Sequence, residues 1–259
     1  INQYLTAFQL EDGFPEPVTL AQLLTHTAGY EDPPYESNTD PAVVEPLGDY
    51  LARAIPPRTD APGEIQRYSN HGYALAAYVV EEVSGQPFDQ YVLEQILQPL
   101  GMSSSRYLLS PPLPEELATG YFYEDRTQVP QPVDYDNDYP GGSLVSTADD
   151  MARFMLAHLE GGCYERACIL QPDTLALMHQ QQAQTPYEGQ AVTYGFVEGQ
   201  KEGQRLLGHS GAIRGFGTIL DLLPEHNVGY FFSFNEECYQ TSACEIISEF
   251  REQFLERFF

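Results

Sequence analysis

Arg67-Tyr68-Ser69-Asn70 leads directly into an apolar pattern that runs from His71 to Ser84 with the spacing of a helix. Leu75 and Val79 fall four residues apart in this pattern, and Gly85 supplies a C-terminal stop. A phenol and an amide, separated by one residue, therefore stand where an irregular segment enters a helix. Such a pair can project two polar groups into a cleft while the helix behind holds them rigid.

The side chains of Tyr68 and Asn70 suit proton transfer and substrate positioning. A tyrosine is a poor base in water, with a pKa of about 10, but a nearby cation favours its phenolate. Asn70 offers a donor and an acceptor, so it could orient a substrate amide and a neighbouring lysine together. The alternative is structural, with an aromatic ring packed at a helix start and Asn70 acting as the helix cap.

A second stretch, Thr25-His26-Thr27-Ala28-Gly29, could accompany this pair. Thr19 is placed to cap a short helix through Leu24, and Gly29 would stop that helix. His26 would then lie in a short helix after two leucines, which is typical of a buried, hydrogen-bonded histidine rather than a ligand.

A third stretch, His209-Ser210-Gly211, follows an apolar strand and precedes Ala212. Glycine in a strand often marks close approach by a ligand or another backbone. His209 could donate to a carboxylate or carbonyl, and the Ala212 N–H could point into a cleft. An ordinary strand and turn is the alternative.

The sequence contains no motif typical of a metal site or a phosphate-binding site. His71, His158, His179 and His226 have no partners at metal-ligand spacing. The chain has no phosphate-binding glycine loop and no Gly-x-Ser-x-Gly elbow. We therefore expect neither a metal nor any other cofactor.

The charge balance excludes some partners. The 259 residues carry 12 Lys+Arg against 38 Asp+Glu, a formal net charge of −26. So acidic a surface repels nucleic acid and anionic lipid, and no apolar run is long enough to span a membrane. The charge suits solubility, adaptation to salt or an acidic medium, or attraction of cationic partners.

The four cysteines fall in two close pairs, Cys163/Cys168 and Cys238/Cys244. Two local disulfides in an exported protein would suit these spacings. Free buried thiols and a four-cysteine zinc site are the alternatives, although neither pair has the two-residue gap that favours zinc.

The order of elements predicts an α+β fold in one domain over 1–259. Helices and loops occupy about 20–185, including helices near Val43–Ala54, from Pro87, from Met151 and at Pro172–Met178. The proline-rich stretch 103–140 is predicted to be mostly loop, and its length indicates that it forms the wall of a binding site. Strands are predicted at Val192–Val197, Arg205–His209, Phe216–Leu223 and Val228–Phe234, and an amphipathic helix then closes the chain over Ile246–Phe258.

Taken in order, these stretches resemble the serine β-lactamase and penicillin-binding-protein superfamily, in its branch of class C β-lactamases, D-alanyl-D-alanine carboxypeptidases and esterases. Five segments spread over nearly all of the chain carry the resemblance, namely Leu23–Gly29, Pro62–Asn70, Pro99-Leu100-Gly101-Met102, Gly141–Phe154 and Gly208–Gly211. The resemblance implies an antiparallel sheet packed with helices and a mostly helical region.

The resemblance also implies roles for particular residues. Tyr68 and Asn70 match the family's Tyr-x-Asn motif, whose tyrosine takes part in proton transfer. His209-Ser210-Gly211 matches its Lys-Thr-Gly element in a histidine variant, which places Ser210 and Gly211 beside the substrate. Ala212 falls where the family supplies a backbone donor to the oxyanion.

The sequence departs from the family at the nucleophile. The family's serine and lysine lie in Ser-x-x-Lys, upstream of the Leu-Leu-Thr-His-Thr segment. Here the sole lysine, Lys201, has Glu198 three residues before it. The chain begins with Ile1 rather than Met, so we expect that it starts past the nucleophile helix and first strands and is itself inactive.

The resulting hypothesis is an exported serine hydrolase that forms an acyl-enzyme on a small-molecule or peptide substrate, an ester or an amide. The histidine at position 209 favours an esterase or D-amino-acid peptidase over a β-lactamase. Two alternatives remain, a non-catalytic protein that keeps the ligand cleft, and a fragment that aggregates through an unpaired sheet edge.

Overall fold

A computed structural model describes residues 1–11, 13–32, 38–236 and 243–259, without the side chains of 243 and 244. Over these residues the chain combines helices with an antiparallel sheet, which confirms the predicted α+β class. Within the described ranges, no helix combines the length and apolar composition needed to cross a bilayer.

The helices follow the predicted order. They are α1 (Leu20–Leu24), α2 (Leu47–Ala54), α3 (Asn70–Ser84), α4 (Phe88–Val92), α5 (Ala148–Leu159), α6 (Pro172–Met178) and α7 (Ala243–Phe258). The predicted stop at Gly85 is confirmed, because this glycine closes α3 with a left-handed backbone (φ 71°). Thr19 caps α1 and Thr147 caps α5, each hydroxyl accepting a backbone N–H.

The strands are mostly short outside the main sheet. They are β1 (Arg106–Tyr107), β2 (Gly120–Glu124), β3 (Thr127–Gln131), β4 (Leu144–Val145), β5 (Cys163–Tyr164), β6 (Ala167–Cys168), β7 (Ala183–Gln184), β8 (Ala191–Val192), β9 (Val197–Lys201), β10 (Gln204–Ile213), β11 (Phe216–Leu223) and β12 (Val228–Phe234). The main sheet has the antiparallel order β12-β11-β10-β9-β8-β7.

The main sheet is covered on both faces. Because successive strand residues point to opposite faces, Leu207 of β10 packs with Met155 of α5, whereas Leu206 packs with Leu255 of α7. An ion pair also ties α7 to the sheet, since Arg251 Nε lies 2.8 Å from Asp221 Oδ2. A separate core joins α1, α2 and α3.

Two predicted segments contain more detail than the sequence predicted. The stretch 103–140 is mostly loop, as predicted, but β2 and β3 form a hairpin within it. The turn residues Asp125 and Arg126 both have positive φ (46° and 66°), as a two-residue hairpin requires. Val192–Val197 is not one strand but the end of β8, a turn in which Thr193 N donates to Phe196 O, and the start of β9.

One of the two predicted cysteine pairs lies within the described residues, and it is disulfide-bonded. Cys163 and Cys168 face each other across β5 and β6 and form a disulfide. The other pair lies outside the described residues, since neither Cys238 nor the Cys244 side chain is described.

A pair of histidines, His158 buried and His179 half-buried, joins α5 to the end of α6. His158 Nδ1 lies 3.1 Å from His179 Nε2, and the His158 ring also packs against Phe154 and Phe196. Burial, together with the charge of His179, lowers the pKa of His158 from 6.5 to about 4. His158 is therefore neutral in the folded protein at pH values where the unfolded chain protonates it.

This pair predicts sensitivity to mild acid. Because the folded pKa of His158 lies below its unfolded value, stability is fully present above pH 6.5 and falls as the pH drops toward 4. Replacing His158 by Gln removes this titration, so the His158→Gln protein should lose about 1–2 kcal/mol less unfolding free energy than wild type between pH 7 and pH 5. Urea unfolding at both pH values measures the difference.

A matched control is His226→Gln, which changes an exposed histidine at the turn between β11 and β12. This variant keeps His158, so it should lose more stability in acid than His158→Gln does. An equal acid loss in His158→Gln and wild type would contradict the prediction.

Candidate active site

The residues singled out in the sequence line one cavity. Its wall includes Tyr68, Asn70, His209, Ser210, Gly211 and Ala212, and its volume is about 2960 Å³. Because small-molecule pockets usually hold about 300–1,000 Å³, the cavity, called the cleft below, extends well beyond these residues. The start of α3 forms one wall and the C-terminal half of β10 forms the other.

Tyr68 lies between the two walls and contacts residues of both. Its side chain is 49% exposed, and its hydroxyl donates to Asn70 Oδ1 at 3.2 Å. Its ring centroid lies 4.3 Å from that of His26 on one side and 6.2 Å from that of His209 on the other. Two motifs that are far apart in sequence therefore meet at one phenol.

Asp32 fixes the orientation of Asn70. Its Oδ2 accepts from both the backbone N–H (2.8 Å) and the side-chain Nδ2 (3.0 Å) of Asn70, and its Oδ1 accepts from the His71 N–H at 3.1 Å. With Nδ2 held in this way, the amide oxygen of Asn70 faces the Tyr68 hydroxyl.

The cap of α3 is therefore not Asn70, the structural alternative considered for it. Ser69 is the N-cap, and its hydroxyl accepts from the Gly72 N–H at 3.0 Å. Asp32 adds a carboxylate at the same helix end, where the helix dipole favours negative charge. Sequence reasoning missed Asp32 because it lies 38 residues before Asn70, outside any local capping pattern.

His26 is buried and hydrogen-bonded, as predicted, but it does not lie in a helix. The helix α1 ends at Leu24, and His26 has a left-handed backbone with φ 56°. Its Nδ1 accepts from the Ser69 N–H at 3.1 Å, so the neutral ring carries its proton on Nε2. Burial and the charge of His209 lower the pKa of His26 to about 4, although Asp32 opposes this.

His209, Ser210, Gly211 and Ala212 all lie within β10, which is longer than predicted. On one side, β10 pairs with β11 throughout this region, with Ser210 opposite Ile219 and Ala212 opposite Gly217. On the other side, β9 pairs only with Gln204–Gly208. In the described part of the chain, the edge of β10 beyond Gly208 therefore has no strand partner and borders the cleft.

The ring of His209 contacts the backbone of its own strand. Its Nδ1 lies 2.8 Å from the Ser210 carbonyl oxygen, and since a carbonyl can only accept, Nδ1 carries the proton. Loss of hydration between the cleft walls lowers the pKa of His209, and the Ser210 carbonyl partly opposes this. At neutral pH the ring is uncharged, with its Nε2 lone pair free to accept.

The segment before β4 passes close to both walls, and of its two glycines only Gly141 lies where a side chain would be crowded. A Cβ on Gly141 would lie 3.1 Å from Asn70 Oδ1, and a Cβ on Gly142 would lie 3.6 Å from Ile213 Cγ2. The close approach at Gly141 leaves little room for a side chain beside the Asn70 amide. This segment therefore touches α3 at one glycine and β10 at the next.

The chain resembles curated proteins over most of its length. A family model described as Beta-lactamase matches residues 1–244. Penicillin-binding protein 4* of Bacillus subtilis is 28% identical over 250 residues, which cover 87% of this chain and 53% of that protein. The D-alanyl-D-alanine-carboxypeptidase/endopeptidase AmpH of Escherichia coli K12 is 30% identical over 233 residues, 83% of this chain and 57% of that protein.

Solved structures show the same similarity. The octameric penicillin-binding protein homologue from Pyrococcus abyssi superposes with a TM-score of 0.77 at 26% identity, covering 90% of this chain and 55% of that one. A penicillin-binding protein from Bacillus halodurans gives 0.75 at 26% identity, covering 95% and 75%. The chain spans little more than half the length of the two curated relatives. On the family match and these similarities, the chain belongs to the β-lactamase family.

Proposed function

We propose that this chain forms most of the active site of a serine hydrolase that cleaves an ester or amide through an acyl-enzyme. One observation carries the proposal: the Tyr68 hydroxyl, bonded to Asn70, lies in the cleft between buried His26 and the open edge of β10. Membership of the β-lactamase family supports the same reaction class.

Each wall of the cleft has a proposed task. Tyr68 transfers protons, and Asn70 presents its amide to the substrate in the orientation that Asp32 sets. Asn70 and His209 together position the substrate, and Ser210 and Gly211 line its binding site along β10.

Ala212 has the role of an oxyanion donor. Residues two apart on a strand direct their backbone groups to the same edge. The Ser210 carbonyl accepts a hydrogen bond from the His209 ring. The Ala212 N–H therefore points to the same edge as the Ser210 carbonyl, toward the cleft. Removing one such donor costs about 3 kcal/mol of transition-state stabilisation in a comparable hydrolase.

The nucleophile is proposed to come from polypeptide outside these 259 residues. Lys201 is the only lysine, and Glu198 stands three residues before it, so the sequence contains no Ser-x-x-Lys. We propose that an upstream serine and lysine complete the site, and that the 259 residues alone form no acyl-enzyme. The Cys163–Cys168 disulfide supports an exported protein.

Esters and D-amino-acid peptides are the proposed substrates, ahead of β-lactams. His209 stands where many β-lactamases carry lysine, and partial loss of hydration lowers the pKa of its ring. The relative named as a D-alanyl-D-alanine-carboxypeptidase/endopeptidase supports this choice.

A non-catalytic binding protein that keeps the cleft is the second candidate. The absence of Ser-x-x-Lys from these residues favours it, whereas the ordered contacts of Tyr68 with Asn70 favour the enzyme. The upstream sequence distinguishes the two, because a binding protein has no need of the serine and lysine.

The proposed reaction predicts covalent labelling by a serine-directed probe. The protein extended upstream through its serine should form a stoichiometric adduct with a fluorophosphonate, visible as a mass increase of the intact protein. The 259-residue chain should form none, because it lacks the nucleophile. An extended protein with its serine and lysine in place that takes up no probe, at a concentration where a known serine hydrolase is fully labelled, would leave the binding protein as the better explanation.

Proton transfer by Tyr68 predicts a large loss on removing its hydroxyl. In the extended protein, Tyr68→Phe should lower kcat for p-nitrophenyl acetate on the order of 10²–10⁴-fold, the usual contribution of general acid–base catalysis. Tyr123→Phe is the matched control, since Tyr123 is comparably exposed on β2 and does not line the cleft. Equal kcat values for the two variants would sink the role assigned to Tyr68.

A further inference from the structure

We propose that His26 is a positioning residue for Tyr68, holding the phenol in place by clamping the backbone on both sides of it. The role rests on the proposed function, because it matters for catalysis only if Tyr68 transfers protons. His26 is buried behind Tyr68, with 8% of its surface exposed, and it does not line the cleft. Any effect on substrate must therefore pass through its neighbour.

The clamp consists of two hydrogen bonds that flank the tyrosine. The His26 carbonyl accepts from the Arg67 N–H at 2.7 Å, and the His26 Nδ1 accepts from the Ser69 N–H at 3.1 Å. One residue thus fixes the backbone immediately before and immediately after Tyr68. Between these two bonds, the imidazole packs on the Tyr68 ring with centroids 4.3 Å apart.

The left-handed backbone of His26 allows both bonds at once. A residue other than glycine in this region costs about 1–2 kcal/mol, and such strain persists only where surrounding contacts enforce it. Here the Thr27 N–H donates to Gln22 O at 2.8 Å, and the hydroxyls of Thr25 and Thr27 lie 2.8 Å apart. The strain lies at a residue that contacts Arg67, Tyr68 and Ser69.

The clamp requires a neutral imidazole. A protonated ring would present an N–H to the Ser69 N–H, and two donors repel. The groups that face the ring are Asp32 from the segment after α1, Tyr68 and Tyr73 from the entry and first turn of α3, and His209 from β10. Burial and the charge of His209 outweigh Asp32 and lower the pKa to about 4, so the ring keeps its accepting Nδ1 across the neutral range.

Two substitutions separate the parts of the clamp. His26→Phe keeps a ring to pack on Tyr68 but has no acceptor for the Ser69 N–H. His26→Asn loses the ring but keeps a short polar side chain whose oxygen can accept, and asparagine tolerates the left-handed region well. His226→Asn makes the same chemical change at an exposed turn that does not line the cleft, and it is the matched control.

The experiment uses the extended protein with its upstream serine and follows hydrolysis of p-nitrophenyl acetate from pH 5 to 9. His26→Phe should lower kcat on the order of 10–100-fold, as small misplacements of a catalytic group do, with KM within about twofold of wild type. His26→Asn should recover part of this loss. His226→Asn should match wild type.

A second measurement does not depend on activity. Fluorotyrosine placed at position 68 reports the surroundings of the phenol by ¹⁹F NMR, and its resonance should shift and broaden in His26→Phe but not in His226→Asn. If the wild-type protein hydrolyses nothing, the proposed function fails while this measurement still tests the clamp. Wild-type kcat and an unchanged resonance in a folded His26→Phe protein would overturn the inference.

Discussion

The candidate site depends on the acceptors that satisfy the first backbone N–H groups of α3. A helix leaves its first N–H groups without internal partners, and here side chains accept them in sequence. His26 takes the N–H of Ser69, Asp32 takes those of Asn70 and His71, and the Ser69 hydroxyl takes that of Gly72. The contacts that satisfy the N-terminus of α3 are therefore the same ones that hold Tyr68 and Asn70 in the cleft.

The opposite wall of the cleft is formed by the part of β10 that β9 does not pair with. β9 stops pairing at Gly208, so His209 and the residues after it keep β11 on one side and face the cleft on the other. Burial lowers the pKa of His26, and partial loss of hydration lowers that of the more exposed His209, on the two sides of Tyr68. A protein of net charge −26 thus places two neutral imidazoles around its central phenol.

Local patterns were enough to predict the elements that depend on neighbours in sequence. The helix α3 with its glycine stop, α6 with proline at its first position, and the hairpin of β11 and β12 follow from periodicity and turn residues. The β2–β3 hairpin was missed because Asp125-Arg126 replaces the usual glycine turn. The cleft-lining residues came from motif order, whereas the contact of Asp32 with Asn70 exists only in the folded chain.

The spacing of the cleft walls along the chain has a consequence for synthesis. His26, Asp32, Tyr68 and Asn70 lie within 45 residues, whereas His209 follows Tyr68 by about 140 residues. At about 5–20 residues per second, a ribosome needs roughly 7–28 s to make the intervening segment. The residues of the helical wall are therefore made several seconds before the strand that faces them exists, and the cleft cannot close around any ligand in that interval.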